Sequence, residues 1–166
     1  IRAAVEQLPW VYRVVVRRVW PSSIEVHVTE QLPIARWGKD GYLNHAGELF
    51  LSNAKSELDL PNLAGPAGSQ AQLMQYYKMI QDPLQANGMS VATLSMNARG
   101  GLSAQLVDGS ELIFGSGDIA GKLQRFQRVY ETRLQGVAGQ VRSVDLRYSH
   151  GAAVAWVART AQRDKQ

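Results

Sequence analysis

The chain opens on IRAAVEQL, in which Ile1, Ala4, Val5 and Leu8 fall at the i, i+3, i+4, i+7 spacing of one helix face before Pro9 stops the run. Two strand-like runs follow, VYRVVVRRVW and IEVHVTE, on either side of Pro21-Ser22-Ser23. In the second run Ile24, Val26 and Val28 alternate with Glu25, His27 and Thr29, the period of a half-buried strand, so the pattern predicts a hairpin with one wet face. A helix feeding a hairpin of this size reads as the end of a small module whose first half lies upstream.

From Leu32 the pattern changes to PIARWGKDGYLNHAGELFLS, where short apolar pieces alternate with Gly, Asn and Asp and predict a meander of short strands. LPNLAGPAGS is then read as loop, and the boundary between modules falls near Ile34 to Gly38. Ser69 caps a helix running to about Leu84, with Leu73, Tyr76, Tyr77, Ile80 and Leu84 as its buried stripe and Pro83 breaking or kinking its last turn. SVATLSMN, LSAQLV and ELIFG predict three strands, the last two joined at Asp108-Gly109. Asp118 opens a second helix carrying Ile119, Leu123, Phe126, Tyr130 and Leu134 on one side, which Gly136 and Gly139 end. Strands dominate, two helices are interspersed, and no repeating βαβ pattern points to a doubly wound sheet. The predicted class is α+β.

The last pattern is RSVDLRYSHGAAVAW, residues 142 to 156. With Ser149-His150-Gly151 as a three-residue turn, Tyr148 would pair with Ala152, Leu146 with Val154 and Val144 with Trp156, all six on one face. If the final strand lies at the margin of the sheet, Ala152 to Val157 bring no proline, inward charge or bulge to protect it. Such a margin permits strand addition by a partner, in which backbone bonds supply affinity and side chains supply choice. An ordinary buried terminal strand is the alternative that periodicity leaves open.

Composition narrows the chemistry. Of 166 residues 45% are hydrophobic and 19% charged, which fits a globular domain, and the absence of cysteine excludes disulfide and thiolate chemistry. The net charge of +4 is scattered, densest at Arg13/Arg17/Arg18 and Arg159/Arg163/Lys165, without the interleaved aromatics of a nucleic-acid platform. His27, His45 and His150 lie far apart at no metal-ligand spacing, there is no G-x-S-x-G, and no carboxylate pair is placed for acid and base work. Gly115-Ser116-Gly117-Asp118 reads as a turn and helix cap rather than an anion site, because Asp118 would repel the anion. No enzyme, cofactor or metal is expected from these residues.

LPWV at 8 to 11, VWPSSIEVHVTEQLPIARW at 19 to 37, Asn44, Gly47 and Phe50, LPNLAGPAGS at 60 to 69, and VDLRYSHGAAVAW at 144 to 156 together resemble the periplasmic part of the bacterial FtsQ/DivIB cell division family, in its proteobacterial form. The resemblance implies residues 1–36 as the end of a POTRA domain lacking its first strand and helix, residues 37–158 as the β domain, and 159–166 as a frayed polar tail. It further implies a non-enzymatic divisome scaffold of the inner membrane, anchored by an upstream transmembrane helix. Such a scaffold binds FtsB and FtsL in the periplasm at the septum and acts through FtsW and FtsI on peptidoglycan synthesis. In the family the terminal strand pairs with a short strand of FtsB. A POTRA-type chaperone capturing outer-membrane strands is the alternative.

Residue by residue, the resemblance marks Tyr148, Gly151 and Trp156 as partner-binding positions and Arg147 and Arg99 as basic positions facing acidic partner residues. Ala153 and Ala155 belong to the pairing strand. His150 stands where the enterobacterial pattern has serine, which puts the local turn contact in question. Asn44 replaces the acidic residue of D-x-x-G, a change that turns accommodate.

Overall fold

The computed structural model describes residues 2–51 and 59–157, which form two compact units, 1–75 and 76–166, divided within one helix. Ile1 and the polar tail 159–166 lie outside the described residues. The class is α+β, and most strand pairs are antiparallel.

In the first unit α1 (Arg2–Glu6) is one short turn, held by an Arg2 to Glu6 ion pair at 2.7 Å. β1 (Val11–Val19) and β2 (Ser23–Glu30) form the expected antiparallel hairpin. Val14 opposes Val28, Val16 opposes Val26 and Arg18 opposes Ile24 on one face. Val14 is buried, but Ile24 is 55% exposed and every residue of β2 is open, so the expected half-burial is confined to the β1 side. Among the described residues no second layer covers β2.

The meander follows as β3 (Ala35–Trp37), β4 (Gly41–Leu43) and β5 (Leu49–Leu51), joined antiparallel. β6 (Asn62–Ala64) runs parallel to β3, within the stretch read from its prolines and glycines as loop. Burial of Leu63 overrides the local signal, and the Pro61 carbonyl accepts the Arg36 N–H at 2.8 Å. The β4–β5 turn is organised by Asn44. Its buried side chain accepts from Ala46 N and Glu48 N and donates to Glu48 Oε2 at 2.6 Å and Gln31 Oε1 at 3.0 Å. Gly47 has φ +80°, and a Cβ there would lie 2.6 Å from the Ala71 Cα, so only glycine fits.

α2 (Gln70–Gln85) runs through Pro83, where a broken or kinked last turn was expected. The proline falls so near the end that it removes only one of the last intrahelical donors. Leu73, Ile80 and Leu84 are buried and Tyr76 and Tyr77 half-buried, joined by Met74, which the stripe had missed.

The second unit holds β7 (Val91–Met96), β8 (Leu102–Leu106), β9 (Glu111–Gly115), α3 (Ile119–Val129), β10 (Val141–Asp145) and β11 (Ala153–Trp156), in the order β11-β10-β9-β8-β7. The β8–β9 turn forms at Asp108-Gly109, where the Asp108 carboxylate accepts Ser110 N at 2.9 Å. Asp118 caps α3 by accepting Gly121 N at 2.9 Å, and Ile119, Leu123 and Phe126 are buried. A π-helical turn, Tyr130–Leu134, extends α3 and keeps Leu134 in the core. Phe126 and Leu134 face Leu112 and Val144 across a small cavity of about 10 Å³, so α3 covers one face of the sheet. β9 and β10 are parallel, making β9–α3–β10 a single βαβ unit.

Candidate partner-binding edge

β10 lies between β9 and β11, and β11 is the margin of its sheet. Val144 opposes Val154, Ser143 opposes Ala155 and Asp145 opposes Ala153, with a bulge between Val141 and Ser143. This corrects the expected register of Val144 with Trp156 and the three-residue turn. The connection is seven residues, 146 to 152, and Tyr148 lies within it. The cause is nonlocal: the Leu146 N–H donates to the Ile113 carbonyl at 2.8 Å and its side chain is fully buried, so the chain keeps company with β9 instead of turning back. Asp145 then accepts the Arg147 N–H at 3.0 Å.

Val157 N–H donates to Gln140 O at 2.7 Å, toward β10. Backbone groups alternate sides along a strand, so Ala155 and Ala153 also point inward, while the N–H and C=O groups of Val154 and Trp156 point away from β10. Ala153 and Ala155 are exposed, Trp156 is 50% exposed and Tyr148 59%. His150 is exposed in the loop, and Gly151 has no atom within 4 Å of where a Cβ would stand.

Arg99 and Arg147 line one cleft of about 300 Å³ together with Lys122, a cation the sequence reading passed over. Asn97 shapes its rim by accepting from Arg99 N and Gly101 N, both at 2.9 Å. Lys122 Nζ donates to the Ser116 carbonyl. Arg147 is already engaged: Nε lies 2.9 and 3.0 Å from the two Asp145 oxygens and Nη2 lies 2.6 Å from Oδ2. Hydrogen bonding by this guanidinium holds the Asp145 carboxyl below the usual carboxylate range. Beyond the strand edge, a shallow polar trough of about 660 Å³ crosses the sheet face that carries Ala155, Ser143, Glu111, Gln105 and Thr93.

His27 pairs with exposed Glu25 at 3.2 Å, and the His45 ring packs edge-on to Tyr12 with centroids 5.5 Å apart. Among the described residues no group of three His, Cys, Asp or Glu could hold a metal ion, and no helix is long and apolar enough to cross a membrane.

Residues 35–147 match the family model described as "Cell division protein FtsQ/DivIB, C-terminal", and residues 1–31 match "POTRA domain, FtsQ-type". Three relatives bear the name "Cell division protein FtsQ". That of Hahella chejuensis is 35% identical over 95% of this chain and 57% of its own, that of Shewanella oneidensis 38% over 94% and 60%, and that of Escherichia coli K12 33% over 94% and 59%. The chain thus spans well under two thirds of these relatives' lengths. With a family model covering most of its residues and an FtsQ-type POTRA match ahead of it, the chain belongs to the FtsQ/DivIB family of cell division proteins.

Proposed function

We propose that this chain is the periplasmic part of a non-enzymatic divisome scaffold, held at the septum by an inner-membrane anchor, that takes up an extended segment of FtsB along β11. Residues 1–36 serve as the end of the POTRA domain and 37–158 as the β domain. FtsL joins as part of the same complex, and FtsW and FtsI are reached through it. The observation that carries this reading is the outer side of β11, which no strand among the described residues pairs, and where the backbone groups of Val154 and Trp156 face away from β10. A strand laid there at the usual spacing of about 4.8 Å would make main-chain bonds, with Trp156 and Tyr148 offering exposed aromatic surface beside it. Arg99, Lys122 and Arg147 form a basic flank suited to acidic residues next to the added strand.

The test is amide mapping by NMR on adding the periplasmic segment of FtsB. The expected result is protection of the Val154 and Trp156 amides from exchange, with shifts at Tyr148 and Gly151. Binding that leaves these four residues unperturbed would overturn the docking mode, and capture of an unfolded outer-membrane barrel but not FtsB would favour a chaperone.

A further inference from the structure

We infer that Arg125 is a positioning residue for the partner-binding loop, an inference that rests on the function proposed above. Its Nη1 reaches three backbone carbonyls of the β10–β11 connection: Leu146 O at 3.4 Å, Tyr148 O, and Gly151 O at 3.5 Å. One guanidinium nitrogen carries two hydrogens, so three acceptors around it share a single charged hub. The loop it gathers presents Arg147, Tyr148, Ser149 and His150 to solvent, and Leu146 is its buried anchor.

Arg125 leaves α3 beside Phe126, whose side chain is 2% exposed, so the hub stands on an element fixed against the sheet. A seven-residue connection at a sheet margin would otherwise sample many conformations. Gathering carbonyls 146, 148 and 151 on one cation removes that freedom before a partner arrives. The cost of ordering the loop is then met in folding rather than in binding. Lysine carries an ammonium on a stem one bond shorter than the arginine Nη1, so it serves the same carbonyls only in part.

The experiment compares wild type, Arg125→Met and Arg125→Lys in the full chain by hydrogen exchange, thermal melting and binding of the FtsB periplasmic segment. In Arg125→Met, exchange at residues 147 to 152 rises and Kd rises about tenfold, while exchange in β7 to β9 and the Tm stay near wild type. Arg125→Lys recovers part of both changes. Unchanged exchange at 147 to 152, or faster exchange with an unchanged Kd, overturns the inference. So does a loss of protection spread evenly over the sheet, the mark of a merely structural role. If Arg125→Met does not fold, Arg125→Lys is judged by the same readings. Failure of the wild type to bind FtsB overturns the proposed function and not the clamp, which the exchange rates decide on their own.

Discussion

Val157 donates its N–H to the carbonyl of Gln140, and this one bond sets the direction of every backbone group along β11. Val154 therefore faces outward and Ala155 inward. Val154→Pro should keep the fold and abolish FtsB binding, because it removes an outward donor where an edge strand tolerates proline. Ala155→Pro should instead break the β10–β11 ladder and cost about 1–3 kcal/mol of stability. Thermal melts and titration calorimetry on both variants distinguish the two effects.

Trp156 is half exposed at the same margin. Trp156→Ala should cost more than about 2 kcal/mol in partner binding and about 1 kcal/mol in folding stability. Tyr148→Glu, which puts a charge on an exposed ring position, should weaken binding with little change in Tm. Equal losses in binding and stability for Trp156→Ala would show that the ring serves only the core.

Arg99 and Arg147 share a cleft, but Arg147 is already clasped by Asp145. Both alanine variants should weaken binding only roughly two- to fivefold, as rim charges do. Arg99→Ala should be the larger loss and should flatten the salt dependence more, read from Kd between low and physiological ionic strength.

Asp145 supplies a pH signature. Its folded carboxyl titrates below the ordinary carboxylate value of about 3.9. The stabilisation it gives is therefore complete above that ordinary value and is lost as pH falls through the lower, folded value. Carboxyl chemical shifts should place the Asp145 midpoint below that of an unfolded reference, and Arg147→Ala should raise it, because the side-chain bond from Arg147 is the largest cause of the depression.

Asn44 donates to the Glu48 carboxylate while accepting two backbone N–H groups. Asn44→Asp keeps the acceptor and replaces the donor by a second negative charge. It should destabilise by about 1–3 kcal/mol, measured by denaturant unfolding. The D-x-x-G pattern and this Asn44/Glu48 pair are thus not interchangeable one residue at a time.

Elements written in local periodicity are legible in the sequence: the β1–β2 hairpin, the α3 stripe from Ile119 to Leu134, the Asp118 cap and the Asp108-Gly109 turn. Features set by distant partners were not. The register of the closing pair depends on Leu146 bonding to Ile113, 33 positions earlier, which no turn rule contains. β6 hides among prolines and glycines because its reason to exist is β3. The basic positions of the candidate edge were readable from resemblance, but Lys122 and Arg125 were not. Both lie on α3, whose helical pattern accounts for its buried face and is silent about what its polar flank reaches.

β11 is four residues long and, among the described residues, has a neighbouring strand on one side only. A rail of that length has room for a single guest, and seating the guest transfers the vacancy to its far side. A partner docking there would therefore bind one to one with this chain, and any growth into a longer array would be decided by the visitor and not by the host.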